Sequence, residues 1–155
     1  MRQLNSKLFA IKSLTLVALC ATLLSFTNKI GGDVFEVYLN NKQVMQQFLT
    51  RDASVRSIDL RESNASDMLR ISYSHCGQIA SGRSIAIKDG QNKSLKVWNF
   101  ADGATMAFEV KDVQALQKLN KDNKLNLFYS SKLLPDGRIL ASLIVSKENR
   151  VSVNQ

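Results

Sequence analysis

His75 and Cys76 stand side by side in Ser74-His75-Cys76-Gly77, and His75 is the single histidine of the chain. An imidazole next to a thiol can turn it into a thiolate nucleophile. Strand geometry works against that use, because neighbours on a strand point to opposite faces. Leu69, Ile71 and Tyr73 form an inward apolar set, which His75 continues, so Cys76 faces out. A turn or bulge at Gly77 is the one local way to bring the two together. The expected role is structural, a polar residue and a small hydrophobe closing a strand, with Cys76 and His75 as the catalytic candidates should the chain be an enzyme. One histidine and one cysteine supply two ligands, whereas zinc normally takes three or four, so no metal site is expected.

Trp98 is the best candidate for a ligand anchor, because an indole face suits stacking on a sugar; Tyr38 and Phe128 are further aromatics of that kind. A tryptophan on a strand of a two-sheet protein is more often core, and core is the expectation here. The Asp-Gly pairs at 89–90, 102–103 and 136–137 lack the alternating carboxylates of a calcium loop and read as turns. Asn64-Ala65-Ser66 and Asn92-Lys93-Ser94 match the glycosylation sequon, a short pattern that often occurs by chance. No nucleophile elbow, phosphate loop or paired-carboxylate spacing is present, and no cofactor is implied.

The elements that must position these residues begin after a leader. Arg2, Lys7 and Lys12 precede a 13-residue apolar run, Leu14 to Phe26, with no acid before it. That length suits a secretory signal peptide and is short of the roughly 20 residues of a membrane span. The reading is a signal peptide over 1–27, cut near Thr27. Leu8 to Phe26, interrupted by Lys12, leaves an uncleaved anchor as the alternative. Cys20 raises lipidation, but Leu19 before it is the wrong size and the apolar run continues beyond it. The expected location is therefore periplasmic, cell-surface or secreted, with membrane attachment only if the leader is retained.

Of the 155 residues, the 27 of the leader carry three basic side chains and no acid, so the net charge falls from +8 to +5 on its removal. A surplus of that size fits weak attraction to anionic surfaces such as headgroups or acidic glycans. It does not fit a nucleic-acid binder, which needs a basic stripe with interleaved aromatics. Cys76 is the one cysteine left after residue 27, so an intramolecular disulfide is impossible and the core alone must hold the fold.

Turn signals recur at Asn40-Asn41-Lys42, Arg51-Asp52, 63–66, Gly77 to Gly82, 89–92, Asp102-Gly103 and Pro135-Asp136-Gly137. Between them lie alternating runs over 34–39, 43–50, 69–73, 85–87, 95–100, 105–110 and 125–129. Ile139 to Val145 is apolar almost throughout and predicts a central strand buried on both faces. Asp112 to Asn120 has helical spacing with Asp112 as a fair N-cap. Gly77 to Gly82 predicts a hairpin loop, and Leu134-Pro135-Asp136-Gly137 a tight turn joining 124–133 to 138–146. The expected fold is all-β, an antiparallel β-sandwich of about eight strands with one short helix over 30–147, preceded by the signal helix and followed by a polar tail over 148–155.

The segments VYLNNK (37–42), YSHCG (73–77), GRSIAIKDG (82–90), LKVWNFAD (95–102) and FYSSKLLPDGRILASL (128–143) together resemble a group of small exported bacterial proteins of unknown function. The resemblance implies a signal peptide followed by a small β-sandwich, and it carries no activity or ligand. The function expected is that of an exported non-enzymatic module binding a partner protein, glycan or envelope component. The alternative is a thiol-dependent enzyme or redox protein using Cys76 and His75.

Overall fold

Apolar residues that alternate along the chain become strands whose inward faces meet in one core. A computed structural model describes residues 32–50, 53–120 and 124–145. The segment over 1–27 expected to be a signal peptide or anchor, and the expected polar tail over 148–155, lie outside the described residues. The chain order is β1 (Asp33–Leu39), β2 (Lys42–Leu49), β3 (Arg56–Asp59), β4 (Met68–Ser74), β5 (Arg83–Lys88), β6 (Ser94–Phe100), β7 (Met106–Glu109), α1 (Val110–Leu119), β8 (Leu125–Ser131) and β9 (Leu134–Ile144). One sheet has the order β2-β1-β4-β7 and the other β3-β9-β8-β5-β6. The protein is thus all-β with one short helix among the described residues. Every strand pair is antiparallel except β3–β9, which is parallel, so the second sheet is mixed.

The two inward faces share a single core. Phe35 and Val37 of β1, Leu69, Ile71 and Tyr73 of β4 and Met106 and Phe108 of β7 meet Ile85 and Ile87 of β5 and Leu125, Leu127 and Tyr129 of β8. Two aromatic stacks cross from sheet to sheet: Tyr73 on Tyr129 at 4.1 Å between ring centroids, and Trp98 on Phe108 at 4.3 Å. Such pairs add about 0.5–1.5 kcal/mol to the burial of their area. α1 carries the chain from β7 of one sheet to β8 of the other and buries Val110, Val113 and Gln117. The helix starts two residues before the expected cap. Glu109 is its N-cap residue without a side-chain cap bond, and Asp112 falls in the first turn, where its charge suits the helix dipole.

Three local expectations are corrected. Pro135-Asp136-Gly137 is not the hairpin turn. The chain reverses at Lys132-Leu133, and residues 135–137 run inside β9, whose register against β8 shifts between Tyr129 and Ser131. Gly137 is required there for two reasons. Its φ is +61°, and a Cβ would come within 2.4 Å of two carbon atoms of the Phe128 ring. Gly77 to Gly82 does not link paired strands. It carries the chain from β4 of one sheet to β5 of the other. Finally, β9 is flanked on both edges, by β3 and β8, but is not buried on both faces, since Ile144 is exposed and Ile139 and Ser142 half-buried. Leu127 pairs with Ala141 and Phe128 with Ile139, which leaves Leu140 as a bulge residue and buries it beside Ala141.

Candidate functional site

β4 delivers Tyr73 inward, and two residues later His75 keeps the same phase. The chain then reverses. His75 and Gln78 exchange backbone hydrogen bonds of 2.7 and 2.9 Å, and the two residues between them, Cys76 and Gly77, have φ of +50° and +86°. Positive φ at both central positions is the geometry of a type I′ turn, which glycine enters at no steric cost and cysteine does not. The turn directs His75 back over the core and leaves Cys76 exposed.

The His75 ring joins groups from two strands, β1 and β8. Its Nδ1 lies 3.3 Å from Asp33 Oδ2 at the start of β1. Its Nε2 lies 3.1 Å from Ser131 Oγ and 3.3 Å from the Tyr129 hydroxyl, both on β8. Tyr73 donates its hydroxyl to the same Asp33 Oδ2 at 2.7 Å. The Cys76 sulfur lies 4.0 Å from Asp33 Oδ1. A carboxylate can only accept, so in the neutral imidazole the arrangement assigns the proton to Nδ1 and leaves Nε2 to accept from a hydroxyl. Burial, then the hydrogen bond to Asp33 and its negative charge, push the Tyr73 phenol well above its usual pKa. Burial also raises that of Tyr129, against smaller opposing effects of the Ser131 hydroxyl and the Arg83 charge.

Asp33, His75 and Ser131 therefore stand in the order acid, base, hydroxyl, the sequence of groups that activates a serine nucleophile. Access and competition decide against that use. Ser131 is 5 % exposed and sits opposite Leu134 across the β8–β9 hairpin. Its base is shared with the Tyr129 hydroxyl, itself fully buried. What the cluster does is fasten the two sheets, since Asp33 and Tyr73 belong to one and Tyr129 and Ser131 to the other.

His75 and Cys76 are adjacent, yet both ring nitrogens of His75 are engaged with Asp33, Tyr129 and Ser131. Trp98 does not join them. It is half-buried, stacks on Phe108 and has the Lys96 ammonium 4.8 Å from its ring centroid. Asp33, Tyr129, Ser131 and Arg83 were not singled out from sequence. A signal for three of them exists. Tyr129 and Ser131 continue the inward phase of Leu125 and Leu127, and Arg83 that of Ile85 and Ile87, so each puts a polar group on a core-facing position. No group of three or more metal-ligating side chains occurs among the described residues. The chain has no significant match to a family model, a curated protein or a solved structure.

Proposed function

We propose that the chain is an exported, non-enzymatic β-sandwich module that binds a partner protein of the cell envelope along β2. The observation that carries this reading is the edge of the first sheet. β2 is eight residues long, has no neighbour beyond it among the described residues, and exposes Val44 and Phe48, the latter 66 % exposed. A long edge strand presents unpaired backbone donors and acceptors that another strand can extend, and exposed apolar side chains add affinity to that pairing. Trp98, the residue best suited to stack on a sugar, is stacked on Phe108, which favours a protein over a glycan. The engagement of both His75 nitrogens favours binding over thiol chemistry at Cys76. A modest positive surplus adds weak attraction to the anionic surfaces of the envelope.

The test is site-specific photocrosslinking of the full chain in its cell. A photoreactive residue at Val44 is expected to give a discrete adduct that Phe48→Asp abolishes, and the same residue at Val97 on β6 is expected to give none. Equal adducts at both positions, or none at Val44, would remove the basis for this reading.

A further inference from the structure

β7 pairs with β4 only over Met68 to Ile71. Beyond Ile71 the edge of β4 borders a cavity of about 190 Å³, lined among others by Arg70, Ser72, Tyr73, Ile79, Arg83 and Thr105. Arg83 is 6 % exposed. Its Nη2 donates to the backbone oxygens of Ala101 and Ala104 at 3.0 and 2.8 Å, while its Nε is buried and makes no hydrogen bond. Arg83 and Arg70 form no ion pair with any described residue. Asp102, the acid of the neighbouring turn, accepts instead from the backbone N–H of Gly82. Arg70 packs over the Tyr38 ring, 4.3 Å from its centroid.

A guanidinium cannot shed its proton to escape burial, and a buried cation without an acid is costly. We infer that this cavity binds a carboxylate with a short apolar tail. The buried Arg83 supplies the charge, Arg70 lines the rim with its guanidinium turned to the Tyr38 ring of β1 and so adds positive field only from a distance, and Tyr73, Ile79 and Met106 supply apolar wall. The volume is that of roughly six waters at about 30 Å³ each, which suits an acid of a few carbon atoms. One guanidinium, already largely committed to backbone carbonyls, suits a singly charged carboxylate better than a phosphate dianion, which offers more acceptor oxygens than it can meet. The carboxylate can come from a small acid or from a peptide C-terminus.

The test is NMR titration of the ¹⁵N-labelled full chain at constant ionic strength, with chloride, acetate, butyrate, inorganic phosphate, and N-acetylated dipeptides with free or amidated C-termini. Butyrate is expected to shift the Arg83 Nε–H and the amides of 103–106 saturably, and to bind more tightly than acetate by up to roughly fourfold per buried methylene. Arg70→Ala, which removes only a more distant charge, is expected to weaken butyrate by no more than about twofold, and Arg83→Met to abolish its binding. Should Arg83→Met fail to fold, the wild-type and Arg70→Ala titrations decide alone. Saturation by the free dipeptide at lower concentration than butyrate, and not by the amidated one, supports the site and names the peptide C-terminus as the source. Saturation by phosphate alone, equal shifts with chloride, or no saturable shift at all overturns the proposal.

Discussion

The His75 cluster and the Arg83 cavity share a wall, Tyr73, and treat charge in opposite ways. Around His75 the acid, the imidazole and three hydroxyls are bonded to one another. Around Arg83 a cation lies buried with backbone carbonyls and, among the described residues, no acid. A satisfied polar network rigidifies the fold it joins, and removing one member leaves its partners unpaired. A buried charge left without its opposite adds little or negative stability, so what retains it is better sought in binding. The first region is a fastener and the second is a receptor, although the first holds the residues that look reactive in sequence.

The largest expected effect lies in the shared wall. Tyr73→Ala should cost about 3–5 kcal/mol in chemical denaturation, because it removes a buried ring stacked on Tyr129 together with the bond to Asp33. A loss below about 1 kcal/mol would show that the sheets are not joined there. Asp33→Asn should cost about 1–3 kcal/mol, since the amide serves as a poorer joint acceptor for Tyr73 and His75. Arg83→Met should cost only about 0–1 kcal/mol, because an apolar side chain suits the site and Ala101 oxygen keeps its bond from the Ala104 N–H. If Arg83→Met costs more than Asp33→Asn, the contrast between fastener and receptor is wrong.

Alkaline pH sharpens the same contrast. The phenols of Tyr73 and Tyr129 ionise at higher pH in the fold than in the unfolded chain. Their contribution is therefore fully present below about pH 10, the unfolded value, and is lost as pH rises from there through the folded values. Unfolding free energy measured from pH 8 to 11 should hold steady and then fall, and Tyr73→Phe should flatten part of the fall. An unchanged slope in that variant would contradict the assignment. The smallest effect is expected at Cys76. Its φ of +50° suits asparagine, so Cys76→Asn should stay within about 0.5 kcal/mol of the wild type. A larger loss would make the thiol part of the fastener.

Much of the fold is legible along the chain, and the exceptions share a cause. The alternation at Phe35 and Val37, at Leu69, Ile71 and Tyr73, and at Leu125, Leu127 and Tyr129 marks core-facing positions that are buried as expected. β3 escapes such reading because its four residues hold one apolar side chain, Ile58, and it becomes a strand by parallel pairing with distant β9. Pro135-Asp136-Gly137 carries strong turn chemistry, yet the β8 register moves the reversal to Lys132-Leu133 and turns those residues into an irregular part of β9. Of the site, His75 was visible as the lone histidine on an inward phase, whereas its partners lie elsewhere in the chain, with Tyr129 and Ser131 54 and 56 residues away.

What the sequence by itself determined is which side of each strand faces the core, because a two-residue period needs only neighbouring residues to be expressed. It also determined the β class, the one short helix among the described residues and the inward phase of His75. Only the tertiary structure decided which strands pair, which loops cross between sheets, and that Asp33, His75 and Ser131 converge while Arg83 is buried without an acid among the described residues. Pairing and convergence depend on register between segments far apart in the chain, and no local period carries that information.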